Sequence, residues 1–183
     1  MTIFDVYLVR HGQSYGQTST LDDMPPGCET GLMPFDWRLT PLGQRQAALL
    51  GESLAQTPFD MIFSSPLERA RATVKAVIER QPRPVPVTVM RDLMEIGDYG
   101  MESVEEFHAR ALRAVNAIRE QSPVGARILI AAHAGFNNLL IGAFLGVPMR
   151  ENYFALCSRT RGFRASSSLT RARRNGSAYG FAV

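Results

Sequence analysis

Short apolar runs typical of buried strands alternate with helix-like segments along most of this 183-residue chain. The strand-like runs are residues 3–9, 60–64, 85–90 and 127–132, and a segment with helical spacing of its apolar residues follows each of them. Alternation of this kind predicts an α/β fold, a three-layer α/β/α sandwich whose central sheet is mostly parallel and covered on both faces. No linker composition interrupts the pattern, so we expect one domain over residues 1–183.

Capping patterns mark the starts of three of the helices. They combine an N-cap hydroxyl with a proline at the first helical position or with a glutamate three residues later. The patterns are Thr40-Pro41, Ser65-Pro66-Leu67-Glu68 and Ser103-Val104-Glu105-Glu106. The first helix is predicted to end near residue 55 and the fourth to cover residues 136–145. Two further strands are predicted at residues 166–172 and 178–183, around a turn at Asn175-Gly176.

Residues 128–149 contain no charged side chain and have about the length of a membrane-spanning helix. Because His133, Asn137 and Asn138 lie in the middle, a buried strand, a turn and a buried helix explain the stretch better. A content of 45% apolar and 20% charged residues is typical of a globular core with a solvated surface. We therefore expect no membrane partner.

The chain has a net charge of +3, with arginine concentrated in residues 159–174. A solvated basic region explains this excess, and a positive field that attracts anionic substrates is the alternative. No nucleic-acid-binding motif accompanies the charge, so we expect no nucleic-acid partner.

Cys28 and Cys157 form no CxxC pair, and the first residues lack the basic and apolar regions of a signal peptide. We expect a cytoplasmic monomer or homodimer.

Polar side chains follow each of the four predicted strands. Arg10 and His11 come directly after the first strand, and Arg69 lies in the first turn of the helix after the second. Glu95 follows the third strand, and His133 closes the fourth. Since ligands bind outside the carboxyl ends of strands in open α/β sheets, these side chains are predicted to meet at one edge.

This set of side chains suits phosphoryl transfer. Arginines supply fixed, planar donors to phosphate oxygens, and free N–H groups at the start of the helix predicted from Pro66 add to them. A neutral imidazole is a nucleophile toward phosphorus, and Gly12 would let backbone approach the phosphate. Glu95 can protonate a leaving oxygen if its pKa is raised enough to hold a proton.

Five segments, in this order, resemble the signature of the histidine phosphatase (phosphoglycerate mutase-like) superfamily. They are Leu8-Val9-Arg10-His11-Gly12, Leu39-Thr40-Pro41-Leu42-Gly43 with Gln46-Ala47, Ser64-Ser65-Pro66-Leu67-Glu68-Arg69-Ala70 with Thr73, Leu93-Met94-Glu95-Ile96-Gly97-Asp98-Tyr99-Gly100, and residues 128–135.

The resemblance implies a role for each matched position. His11 would be the nucleophile that becomes phosphorylated, and Glu95 would be the general acid and then the base that activates water. The phosphoryl group would be bound and polarised by Arg10, Arg69 and His133. Beside these family roles, we expect substrate contacts from Gly12, Ser14 and Gln17. No metal and no cofactor would be needed.

Departures from the family pattern narrow the activity. Many relatives have glutamate at Gln13, asparagine at Gln17 and glycine at Ala134. The chain also passes almost directly from Gly100 to the next helix, where mutases of the superfamily carry a long insertion that covers the site. A mutase must keep its intermediate from water, so a short link favours a phosphatase with an open site.

The expected substrate is a phosphorylated small molecule or a phosphoprotein. The alternatives are a phosphoglycerate-type mutase and a weakly active member that binds a phosphorylated ligand.

Overall fold

The computed structural model describes residues 4–18, 25–28, 36–146, 170–174 and 177–181, the last two ranges as backbone. Within these ranges the strands are β1 (Asp5–Arg10), β2 (Met61–Ser64), β3 (Val87–Val89), β4 (Arg127–Ala132), β5 (Thr170–Arg174) and β6 (Ser177–Phe181). The helices are α1 (Pro41–Ser53), α2 (Glu68–Ile78), α3 (Val104–Gln121) and α4 (Ala134–Leu145). Two 3₁₀ turns, Tyr15–Gln17 and Arg91–Leu93, lie in the loops.

The strands form one sheet in the order β3-β2-β4-β1-β6-β5. The first five strands of this order are parallel, and β5 at the edge runs antiparallel to β6. β1 and β4 lie side by side at the centre, where apolar side chains are covered on both faces. The structure thus confirms the predicted α/β sandwich with a mostly parallel sheet.

Alternate residues of the central strands build two separate cores, because successive side chains of a strand point to opposite faces. Ile128 and Ile130 of β4 pack in a cluster with α3 and α4, which includes Phe107 and Phe136. Leu129 and its neighbours pack on the other face with residues of α2 and the end of α1. The pairing of α1 with α2 and of α3 with α4 completes the three layers.

Two of the three predicted helix starts are confirmed. At α1 the N–H of Gly43 donates to the Thr40 hydroxyl at 3.0 Å. At α3 the Ser103 hydroxyl accepts from the N–H of Glu106 at 3.2 Å, and the Glu106 carboxylate accepts from the N–H of Ser103 at 2.7 Å. Each cap satisfies helix N–H groups that have no partner within the helix.

The predicted start of α2 is wrong. The helix begins at Glu68 with Leu67 as its N-cap, so Pro66 lies outside it. The N–H of Glu68 donates to Asp36 Oδ1 at 2.8 Å and not to the Ser65 hydroxyl. That hydroxyl hydrogen-bonds with His133 instead. A carboxylate from a distant loop therefore holds an N–H that we expected to be free for phosphate.

Smaller differences concern the ends of elements. β3 is shorter than the predicted residues 85–90, and α4 begins two residues earlier than expected, at Ala134. The last strands are 170–174 and 177–181, whereas residues 166–169 and 182–183 and the turn at Asn175-Gly176 lie outside the described residues. In the described part of the chain, no helix has the length and apolarity that crossing a membrane requires.

Candidate active site

The carboxyl ends of β1, β2 and β4 meet at one edge of the sheet. The register pairs Arg10 with Ala132 and Ser64 with Ala131. The pairing continues one residue further, since the N–H of His11 donates to the Ala132 carbonyl at 3.2 Å. The His11 and His133 rings consequently lie with their centroids 5.0 Å apart.

His11 is buried and has a defined ring orientation. Its Nδ1 lies 2.7 Å from the Gly12 carbonyl oxygen, which can only accept, so Nδ1 carries the proton. Its Nε2 accepts from Arg69 Nε at 3.3 Å and is the nitrogen with the free electron pair. Burial, followed by the positive charge of Arg69, lowers the pKa of His11 to about 3. The ring is therefore neutral near pH 7, as a nucleophile must be.

The glycine after His11 is required by packing. A Cβ at Gly12 would lie 2.4 Å from the carbonyl oxygen of Gly43 in α1. The N–H of Gly12 donates to the Thr73 hydroxyl at 3.1 Å, which ties the same residue to α2. The close contact with α1 explains this glycine without a phosphate, and its predicted contact with substrate stays a prediction.

His133 lies at the N-cap of α4 and is almost fully buried. Its Nε2 lies 2.8 Å from the Ser65 hydroxyl, and its Nδ1 is buried with no hydrogen-bond partner among the described residues. Burial, then the charge interactions with His11 and Arg69, lower the pKa of His133 well below 6.5. An unsatisfied buried nitrogen beside His11 is suited to a polar group of a ligand.

Glu95 lies over the amino end of α4. Its carboxylate accepts from the N–H of Gly135 at 2.8 Å and from those of Phe136 and Ile96 at 3.1 Å each. These donors favour the charged form, but burial outweighs them and raises the pKa of Glu95 above 4.5, with a smaller contribution from the charge of Asp98. A raised pKa is what a proton donor near neutral pH requires.

The neighbouring glutamates are engaged elsewhere. Glu102 forms a buried ion pair with Arg110, and Glu106 caps the start of α3. Of Glu95, Glu102 and Glu106, Glu95 is thus the one held against the helix that begins beside His133.

The two arginines of the candidate site differ in their surroundings. Arg69 is largely buried between His11, to which it donates, and Asp98, with which it forms an ion pair. Arg10 is exposed at the end of β1, although its charge contributes to the lowered pKa values of both histidines. Burial raises the pKa of Asp98, against the lowering effect of Arg69.

Two residues of this site were not singled out in the sequence. Asp98 stands in the segment that carries Glu95, but nothing in its spacing indicates a contact with Arg69. The sequence pattern predicts Ser65 as a helix cap, and its hydroxyl instead contacts His133. A serine directly after the second strand, at the same sheet edge as the other site residues, was the available signal.

The predicted contacts of Ser14 and Gln17 with substrate stay predictions. The N–H of Ser14 donates to Gln17 Oε1 at 3.0 Å, so the Gln17 side chain folds back on its own turn. Gln13 is bound to α1, since its backbone N–H donates to Gln46 Oε1 at 2.8 Å and its side chain accepts from Thr40 at 2.9 Å. In the described ranges, no group of three or more potential metal-ligating side chains is assembled.

Comparison with known proteins identifies the family of the chain. Residues 6–100 and 97–161 match the profile of the histidine phosphatase superfamily (branch 1). The adenosylcobalamin/alpha-ribazole phosphatase of Salmonella typhimurium is 30% identical over 174 residues, covering 78% of this chain and 80% of the relative.

Solved structures share the fold. The alpha-ribazole phosphatase of Shigella flexneri superposes with a TM-score of 0.66 at 24% identity, covering 94% of this chain and 92% of that one. The phosphoserine phosphatase of Entamoeba histolytica superposes with a TM-score of 0.64 at 19% identity, covering 97% and 95%. Because the family profile matches more than half of the chain, the protein belongs to branch 1 of the histidine phosphatase superfamily.

Proposed function

We propose that the protein is a phosphomonoester hydrolase that works through a phosphohistidine at His11. The observation that carries the proposal is the state of this ring, which is neutral, has its proton on Nδ1 and receives a hydrogen bond from Arg69 at Nε2. A fixed electron pair beside a guanidinium is suited to attack on a phosphoryl group whose oxygens that guanidinium binds.

In the first step, His11 Nε2 attacks phosphorus and forms a P–N bond while the P–O bond to the leaving group breaks. The leaving oxygen takes the proton of Glu95, whose raised pKa favours the protonated carboxyl. Arg69, Arg10 and His133 stabilise the charge on the transferring oxygens. Arg69 must exchange Asp98 for phosphate as the substrate binds, because the ion pair occupies part of its guanidinium.

In the second step, the Glu95 carboxylate accepts a proton from water as that water attacks phosphorus. The P–N bond breaks, inorganic phosphate leaves and His11 regains its electron pair. The same carboxyl serves as acid and then as base, so each turnover restores the starting protonation state.

Hydrolysis is favoured over isomerisation by the link between the acid and α3. Gly100 is followed by only three residues before α3 begins at Val104, so no inserted segment covers the site there. Relatives named for alpha-ribazole and phosphoserine phosphatase activity support a phosphorylated small molecule as substrate, with a phosphoprotein as the alternative. A single domain over residues 1–183, independence of metals, a cytoplasmic location and a monomeric or homodimeric state belong to the same proposal.

The test is phosphate release from a panel of phosphomonoesters by the wild-type protein and the variants His11→Ala and Glu95→Gln. We expect His11→Ala to abolish turnover and Glu95→Gln to lower it by about 10²–10⁴. Wild-type activity should persist in excess chelator. Turnover that survives in His11→Ala contradicts the mechanism, and primer-dependent isomerisation without phosphate release would indicate a mutase.

A further inference from the structure

Arg110 of α3 is fully buried, although it belongs to no part of the site described so far. It lies in the apolar stripe of its helix, near Phe107 and Ala111, in the larger of the two cores. Burying a guanidinium costs free energy unless its charge and all its donors are satisfied. Its partners therefore show what the buried charge holds in place.

Every hydrogen bond that the structure shows for the Arg110 side chain goes to one segment, residues 92–102. Its Nε donates to Glu102 at 3.0 Å and a terminal nitrogen donates to the other oxygen of the same carboxylate, which makes a two-pronged ion pair. Its remaining terminal nitrogen donates to the carbonyls of Asp92 at 2.8 Å and Met94 at 2.7 Å. The Tyr99 ring lies 4.3 Å from the guanidinium carbon.

These contacts hold residues 92–102 on both sides of Glu95. Met94 directly precedes Glu95, and Glu102 closes the segment before α3 begins. Between these two contacts the backbone adopts positive φ at Gly97 (85°) and Gly100 (128°), conformations in which glycine has broad freedom. Glycines in such conformations leave the segment freedom to shift, so its attachment to Arg110 on both sides of Glu95 adds to the N–H groups of α4 in restricting where the carboxyl lies.

Arg110 lies in the same helical layer as the helix that binds Glu95. α3 packs on α4, and the amino end of α4 donates two N–H groups to Glu95. Arg110 also contacts the Phe136 ring of α4, whose centre lies 4.7 Å from its guanidinium carbon. One side chain thus touches the backbone that carries the acid and the helix that receives it.

We infer that Arg110 is a positioning residue for the acid–base chemistry of Glu95. The inference rests on the proposed function, because it assigns Arg110 to one step of that mechanism. The planar fork reaches a carboxylate and two carbonyls at once, a geometry that the single ammonium of lysine cannot reproduce. Loss of the fork should therefore loosen Glu95, together with Asp98 of the same segment, while leaving His11 and His133 in place at the ends of their strands.

The test compares two substrates that differ in their need for an acid. The oxygen of 4-nitrophenyl phosphate leaves readily without a proton, whereas that of glycerol 2-phosphate must be protonated. We expect Arg110→Lys to lower kcat/KM for glycerol 2-phosphate about tenfold more than for the aryl ester, and to weaken the alkaline fall of its pH profile. Glu102→Gln, which keeps the size of the partner, should shift the same ratio in the same direction if Arg110→Lys does not fold.

Arg119→Lys is the matched control, since Arg119 lies on the same helix and donates to the Phe144 carbonyl away from the acid. It should leave the ratio of the two substrates unchanged. Equal losses on both substrates in Arg110→Lys or Glu102→Gln would show a merely structural arginine and overturn the inference, while the proposed function stands. A wild-type protein that releases phosphate from neither ester would overturn both.

Discussion

The buried imidazole of His11 should make the protein less stable in mild acid. Its pKa is about 3 in the folded chain, against 6.5 for an exposed histidine. Below pH 6.5 the unfolded chain binds a proton that the folded chain excludes, so the free energy of unfolding decreases as the pH is lowered. On acidification from pH 7 to pH 5, the unfolded chain takes up this proton over the roughly 1.5 pH units below 6.5, and about 1.4 kcal/mol per unit gives a loss of about 2 kcal/mol.

The measurement is urea unfolding of the wild-type protein and of His11→Gln at pH 7 and pH 5. The variant should lose about 2 kcal/mol less than the wild type between the two pH values. His133, whose pKa is also lowered, acts in the same direction in both proteins. The raised pKa of Glu95 acts in the opposite direction in both, so the comparison isolates most of the His11 contribution.

Ser103→Ala is the matched control. It removes the N-cap of α3 and should lower stability by about 1 kcal/mol, and by the same amount at both pH values, because no imidazole is lost. If His11→Gln and the wild type lose equal stability on acidification, the ring is not excluding a proton. The neutral nucleophile on which the mechanism depends would then be refuted.

Three further substitutions test single contacts. Gly135→Ala would place a methyl group 2.7 Å from Glu95 Oε1 and displace the acid; we expect kcat/KM for an alkyl phosphate to fall about tenfold or more, and an unchanged value would contradict the contact. Asp98→Asn removes the carboxylate that competes with phosphate for Arg69 in the proposed mechanism, and it should lower KM about fivefold, the factor for about 1 kcal/mol; a raised KM would mean that Asp98 orients the arginine. Gly12→Ala would place a methyl group 2.4 Å from a backbone oxygen of α1 and should cost about 1–3 kcal/mol in unfolding experiments, with loss of turnover; full stability would refute the packing argument.

The layout of the candidate site was accessible from the sequence because of one geometric rule. Parallel strands present their carboxyl ends at the same edge, so polar residues that end successive strands must be neighbours. His11 and His133 are adjacent for this reason, as the register of β1 and β4 shows. Arg69 follows from the same rule through the turn after β2.

Contacts made by loops, and contacts between layers, follow no such geometric rule. Asp36 caps α2 from a distant loop, and Asp98 pairs with Arg69 across two segments, so neither contact has a fixed spacing that a sequence pattern could reveal. The burial of Arg110 is partly predictable from the sequence, because a charged residue three positions after Phe107 interrupts an otherwise apolar stripe. The stripe indicates that the arginine is buried, but its partners depend on the path of residues 92–102.

The sequence by itself determined the alternation of strands and helices, the parallel sheet and the gathering of His11, Arg69 and His133, because periodicity and strand direction are local properties. Only the tertiary structure decided the protonation of these groups. The lowered pKa of His11 and the raised pKa of Glu95 arise mainly from burial, and burial depends on how both helical layers close over the sheet edge.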